Sequence, residues 1–318
     1  MPHPAGRLAM AAAAVAATVL AAASPALARP HVKEWPVKAE FTVLNDITAG
    51  FDDALYATDG SLGRLFRITQ TGRISSVEIG ESLRGVTAGP DGALWVTDGS
   101  LDRITRVGRD GSLTHHELPE QGSFPTGIVT GPDGGLWFTE LRGDRIGRLA
   151  TTGEIDEYDI PTPGAFAADI TVGPDRALWF TEQSTDKVGR VSTSGTVTEY
   201  ALPEGSLPGP IAAAGDSLYV ALRNTNAIIE LSTAGEILAT RPLPTELADP
   251  HSMAVSPGGG RLWIAQENAR SIARMTTDGV FGRDLELRSG PDDLAFDHDG
   301  DLWYIAADDA RIGRIDLR

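Results

Sequence analysis

A Leu-aromatic step returns seven times along this chain and constrains its fold more than any other feature. Leu55-Tyr56, Leu94-Trp95, Leu136-Trp137, Leu178-Trp179, Leu218-Tyr219, Leu262-Trp263 and Leu302-Trp303 follow one another at 39, 42, 42, 40, 44 and 40 residues. A period near forty is too long for a coiled coil and too short for a domain, and it matches one supersecondary unit repeated around a ring or along a solenoid. Inside a unit, short apolar runs alternate with Gly-bearing turns. Ile128-Val129-Thr130 leads through Pro132-Asp133-Gly134 to Leu136-Trp137-Phe138-Thr139-Glu140. Arg145 to Leu149 follows, and after Thr152-Gly153 an alternating run from Ile155 to Ile160 stops at Pro161. This predicts four short strands per unit, because Gly supplies positive φ at the turns and Asp bonds its own backbone there. No stretch outside the N-terminus carries helical spacing.

Four-stranded units of this length are propeller blades, so the chain is expected to be an all-β, seven-bladed β-propeller. The last copy, Leu294 to Leu317, supplies only three strands. The run Val32 to Val37 matches the outer-strand pattern of Glu199-Tyr200-Ala201-Leu202-Pro203 and is expected to complete that blade, closing the ring from both termini. Residues 29–318 thus form one domain. Residues 1–28 differ: Arg7, an apolar Ala-rich run from Leu8 to Ala23, and Ala26-Leu27-Ala28 read as a secretory signal peptide cleaved after Ala28. The run is too short to span a bilayer comfortably and has no stop-transfer flank.

Composition narrows the chemistry. There is no cysteine, which excludes disulfides, thiolate catalysis and cysteinyl zinc. The net charge is −17, and cleavage would remove Arg7 and no acid. Such an acidic chain is a poor partner for nucleic acid or anionic membrane. An exported monomer with a small-molecule or peptide ligand at its channel mouth is expected, and solubility accounts for most of the charge.

In a blade the first strand lies nearest the central channel. The loop entering it and the loop leaving the second strand open on one face. The entering positions read Asn45-Asp46, Arg84-Gly85, Thr126-Gly127, Ala168-Asp169, Gly209-Pro210, His251-Ser252 and Asp292-Asp293. The leaving positions read Asp59, Asp98, Glu140, Glu182, Arg223, Glu267 and Asp308. The sixth and seventh copies depart from the repeat. His251 alone among the histidines falls at the mouth. With Asp249 and Glu267 it forms a candidate catalytic set, since carboxylates hold an imidazole's tautomer and orientation for general-base work. Asp249, Glu267 and Asp292 are also candidate oxygen ligands for magnesium. Asp292, Asp293 and Asp308 are candidate ligand-binding groups. A loop histidine that merely bonds a neighbour is the plainer alternative. The repeated tryptophans read as blade packing rather than a sugar platform. Asp297-x-Asp299-Gly300-Asp301 lacks the later ligands of a calcium loop.

The repeated Gly-Pro-Asp-Gly-x-Leu-Trp-Phe-Thr-Glu, the Arg145-Ile146-Gly147-Arg148 step and the Glu157-Tyr158-Asp159-Ile160-Pro161 ending resemble the streptogramin B lyase (virginiamycin B lyase) family over residues 32–318. The resemblance implies a monomeric, magnesium-dependent seven-bladed propeller that opens a cyclic depsipeptide at its ester by elimination. It also implies a site of two histidines and two glutamates in the last two blades. Matched in chain order, Pro250-His251 takes the first Pro-His, Gly290-Pro291-Asp292 takes the Glu-Pro-His, and Ala307 takes the final glutamate. Shifted by one blade, Asp249-Pro250-His251 stands for Glu-Pro-His, Glu267 for the last glutamate and Gly209 for the other histidine. Two functions follow as expectations: a metal-assisted lyase on a cyclic depsipeptide or related ester, or a non-catalytic binding propeller for a peptide, glycan or cell-wall fragment.

Overall fold

The computed structural model describes residues 30–38 and 42–317, and the leader expected over residues 1–28 lies outside them. The described residues form seven four-stranded antiparallel sheets and no helix. The first strand of each blade touches the first strand of the next all the way round, so the innermost strands wall a central channel. Blades 1 to 6 follow chain order. In the seventh, His31–Pro36 pairs antiparallel with Arg311–Asp316 and supplies the outer strand, as the sequence predicts.

The Leu-aromatic step is the blade core. Trp95, Trp137, Trp179 and Trp303 are fully buried. Each indole N–H donates to an aspartate of the preceding turn: Asp91, Asp133, Asp175 and Asp297, at 2.7–3.0 Å. An aromatic ring from the outer strand stacks on each, His116, Tyr158, Tyr200 and Trp35 respectively, with centroids 5.4–5.6 Å apart. Arg106, Arg148 and Arg190 reach the same turn aspartates, each Nε donating at 2.6–2.7 Å. The Pro-Asp-Gly turn therefore satisfies a buried N–H that would otherwise be left without a partner. The turn Asp297–Asp301 does the same work with Trp303 and Arg314, which explains its acidic residues without calcium. Blade 6 has Gly258-Gly259-Gly260 where the aspartate would stand, and the Trp263 N–H is buried with no partner.

Strand register revises the positions leaving the second strand. Asp59, Asp98, Glu140 and Glu182 pair with Leu44, Leu83, Pro125 and Ala167. The equivalents in blades 5 and 6 are Leu222 and Gln266, paired with Pro208 and Pro250. Arg223 and Glu267 stand one residue further on. The first four acids are structural. They are fully buried, and Asp98 accepts N–H bonds from Glu81 and Ser82 in the incoming loop.

Two of them set an expected pH response. Burial pushes the Glu140 and Glu182 carboxyls up to about 7, against partial relief from Ser123 and Thr185. A carboxyl with a raised folded pKa binds more protons folded than unfolded, so stability declines as pH rises from the ordinary carboxylate range through 7. The melting temperature at constant ionic strength is expected to be higher at pH 5.5 than at 8.0, with the slope flattened in the Glu140→Gln/Glu182→Gln double variant. A melting temperature that rises over the same interval would contradict this.

Candidate functional site at the channel mouth

Each inner strand of blades 1 to 6 carries one β-bulge, and the bulge builds the channel mouth. In blade 6, Pro250 pairs with Gln266 and Ser252 with Ala265, so His251 is the extra residue. A bulge re-aims a side chain out of the ladder, here into the channel. The residues at this position in blades 1 to 6 are Asn45, Arg84, Thr126, Ala168, Gly209 and His251, whereas Asp292 precedes the unbulged inner strand of blade 7. The cavity they enclose measures about 550 Å³, with Arg84, Arg223, His251 and Asp293 in its wall.

Neighbouring bulges are stitched together in two ways. Threonines of the second strand donate to the next blade's bulge carbonyl, as from Thr58 to Arg84 and from Thr139 to Ala168, at 2.6–2.9 Å. Aspartates at the second bulge position, and Asp293 at the start of the unbulged inner strand of blade 7, accept the next blade's N–H. Asp46 takes Val86, Asp169 takes Ile211 and Asp293 takes Ile47, at 2.6–2.8 Å. In blades 5 and 6 alanines 221 and 265 replace the threonine, so the bulges they face lack its stitch.

His251, Asp249 and Glu267 are brought together. His251 Nε2 lies 2.8 Å from Glu267 Oε2 and 3.4 Å from Asp249 Oδ2, and all three side chains are about a quarter exposed. Asp249 has a left-handed backbone, φ 51°, and its carbonyl accepts the Glu267 N–H. The group that sequence reasoning did not place in the site is Arg223. It grips Asp249 with two bonds, Nε to Oδ1 at 2.8 Å and Nη2 to Oδ2 at 3.2 Å, and Nη2 lies 2.6 Å from His251 Nε2. A Cβ on Gly209 would meet the Arg223 chain at 2.9 Å, so the bare bulge of blade 5 leaves the arginine room to cross to blade 6. A signal was legible: position 223 breaks a run of acids with a cation, next to an Ala221-Leu222 pair that had lost the usual Thr-acid.

The electrostatics follow from this geometry. Burial raises Asp249, but the bonds and charge of Arg223, aided by His251, outweigh it and hold the carboxyl below its ordinary value. Nε2 of His251 carries either a lone pair or a proton. The lone pair accepts from Arg223, and the proton is donated to Glu267, so both states of the imidazole have a partner.

The remaining candidates have other partners. Asp292 stands outside the trio whose ligand atoms lie within 4.8 Å of one another, which is Asp249, His251 and Glu267. Its Oδ2 accepts the Ala307 N–H at 2.5 Å. Burial pushes its carboxyl up to about 7, opposed by that bond and reinforced by the charges of Glu267, Asp308 and Asp293. Asp293 joins three blades, accepting from Ile47 and from the Ser252 hydroxyl. Asp308 is exposed in the turn after the strand Leu302–Ala306. For magnesium, the trio has suitable carboxylates, but Arg223 already engages both Asp249 oxygens and approaches the same imidazole nitrogen. As arranged, these donors close around a guanidinium and do not fit the ion.

With this geometry in place, the comparisons decide the family. The model of the virginiamycin B lyase family matches residues 30–283. The chain belongs to the virginiamycin B lyase family. A solved streptogramin B lyase superposes with a TM-score of 0.85 at 30% identity, covering 91% of this chain and 98% of that one. A selenomethionine-substituted virginiamycin B lyase from Staphylococcus aureus matches at 30% identity and TM-score 0.84, covering 91% of this chain and all of that one. A catalytically inactive His-to-Ala variant of virginiamycin B lyase from Staphylococcus aureus, with quinupristin, matches at 31% identity, TM-score 0.84 and the same coverage. No curated protein gives a match. Virginiamycin B lyase membership establishes the propeller and its blade order. The residues at the mouth bear the question of activity.

Proposed function

We propose that this chain is an exported lyase that opens a cyclic depsipeptide or a related ester by elimination, using His251 as base. The observation that carries the proposal is the cluster on the cavity wall, where His251 Nε2 has the Glu267 carboxylate 2.8 Å away and the Arg223–Asp249 pair beside it. In the reaction, Nε2 takes the proton on the carbon next to a carbonyl, and the electrons of that C–H bond form a C=C bond. The neighbouring C–O bond breaks, and its electron pair leaves on the ester oxygen as a carboxylate. Glu267 then accepts a hydrogen bond from the imidazolium, while Asp249, gripped by Arg223, orients the ring. Arg223 supplies positive charge beside the developing anion, the part that the family resemblance gives to magnesium.

Elimination leaves the mass of an opened ring unchanged, whereas hydrolysis adds one water. Incubation with quinupristin and other cyclic depsipeptides, followed by mass spectrometry, is expected to give a linear isomer of unchanged mass, at a rate insensitive to EDTA. A product heavier by one water, or activity abolished by the chelator, would overturn this reading.

A second reading has an observation of its own. The Arg223 contact engages the very lone pair that a base needs. If no ester is opened, the mouth is a binding site for a peptide, glycan or wall fragment, and binding that weakens in His251→Ala would be its signature.

A further inference from the structure

Acids outnumber cations in this chain, 44 Asp and Glu against 27 Lys and Arg. Arg67, Arg106, Arg148, Arg190 and Arg314 are each paired with an aspartate. Arg84 and Arg142 have no carboxylate partner among the described residues. Instead both stand over the ring of Phe124, with guanidinium carbons 4.9 and 4.4 Å from its centroid. The Arg84 Nε is buried and makes no hydrogen bond. A buried donor left unpaired is destabilising and calls for an explanation, an absent ligand among them.

Arg84 occupies in blade 2 the bulge position that His251 holds in blade 6, and it lines the same cavity. Phe124 has a left-handed backbone, φ 55°, as do Phe166, Leu207 and Asp249 at the same position of the next three blades, so the blade-entry loop itself sets this conformation. Asp102 enforces it, accepting the Phe124 N–H at 2.8 Å and the Gly122 N–H at 2.7 Å. The ring lies on Gly99, where a Cβ would stand 3.0 Å from it. Burial and the charge of Arg142 push the Arg84 guanidinium below its ordinary pKa, so each cation opposes the other. An anion held by both cations would remove that repulsion and satisfy the free Nε. Guanidinium forks match the oxygens of carboxylate and phosphate two at a time.

We infer that Arg84, Phe124 and Arg142 form an anion-binding subsite on the channel rim of blades 2 and 3, which takes a carboxylate or phosphate group carried by the ligand. The subsite is separate from the His251 cluster in blades 5 and 6, and it stands whether that ligand is opened or only held. A ligand with an anionic group at one side of the mouth and its ester or binding determinant at the other fits both.

The test uses the full folded chain with 15N-labelled arginine, at constant ionic strength set with chloride. Sodium benzoate and inorganic phosphate are titrated separately while the Arg84 Nε–H resonance is followed. Saturable shifts of that resonance are expected with at least one of the two anions. Arg84→Gln and Arg142→Gln are each expected to weaken binding at least tenfold, read in the mutant by the remaining arginine's resonance and by calorimetry. Tighter saturable binding of benzoate than of phosphate would identify the ligand group as a carboxylate and the reverse as a phosphate, and Phe124→Leu is expected to weaken benzoate, whose ring can stack on Phe124, more than phosphate. Shifts that never saturate, or unchanged affinity in the folded Arg84→Gln/Arg142→Gln double variant, would overturn the inference. The melting temperature of each variant verifies folding.

Discussion

Removing residues 30–38 is expected to lower the melting temperature by about 10–20 °C and to produce soluble aggregates, because the segment closes the ring. It pairs in register from His31 opposite Asp316 to Pro36 opposite Arg311. Trp35 stacks on Trp303 with centroids 5.6 Å apart. The Tyr304 hydroxyl donates to Glu34 at 2.6 Å, and Val37, itself buried, donates its N–H to Ala310. Without the segment, Trp303 loses its cover and the strand Arg311–Asp316 becomes an open edge. Trp35 is half-buried, so its loss costs less than the roughly 3–5 kcal/mol of a fully buried tryptophan. Each kcal/mol is worth about 2–4 °C in a domain of 150–250 residues, and somewhat less in a larger ring. Trp35→Ala should therefore reproduce less than half of the effect while leaving the strand paired. Scanning fluorimetry and light scattering measure both variants. A truncated chain that melts like the intact one and stays monodisperse would show that closure does not depend on this strand.

His251→Ala is expected to reduce turnover of a depsipeptide about 10²–10⁴-fold, the usual contribution of a positioned general base. It should barely shift the melting temperature, since His251 is a half-buried bulge residue outside the blade cores. Arg223 separates positioning from charge. Arg223→Lys keeps a cation but loses the two-bond grip on Asp249, and is expected to retain more activity than Arg223→Gln. Glu267→Gln keeps the shape but cannot hold the charge opposite an imidazolium, and is expected to lower kcat more than it raises KM. Full activity in His251→Ala would remove the base from the mechanism. Equal losses in Arg223→Lys and Arg223→Gln would mean that geometry, and not charge, is what Arg223 contributes.

The split between what was legible and what was not follows the range of the interactions. Blade number was written in the Leu-aromatic step because every blade buries that step in its second strand, and in blades 2, 3 and 4 an indole on a turn aspartate, a stacked outer-strand ring and an arginine over it all lie within about one period. Closure was legible because a missing strand at one end and a matching strand at the other leave one pairing. The bulge positions that face the channel, from Asn45 to His251, were also readable, since they stand 9 to 11 residues before the Leu-aromatic step.

The leaving side of the mouth was not. Composition aligned Arg223, Glu267 and Asp308 with the four structural acids, whereas hydrogen-bond register puts Leu222 and Gln266 there in blades 5 and 6. A one-residue offset changes which side chains point into the channel, and only strand pairing fixes it. The sequence placed His251, Asp249 and Glu267 as neighbours. Whether they hold a metal ion or a guanidinium depended on Arg223, which comes from the preceding blade and crosses because Gly209 has no side chain in its way. The same holds for Arg84, Phe124 and Arg142. They are far apart in the chain, lie in two blades and meet only when the ring packs. By itself the sequence determined the repeat, the ring and its closure, because those rest on contacts within a blade and between its two ends. The tertiary structure decided which charges share the mouth, because that depends on contacts between blades, whose register no local pattern records.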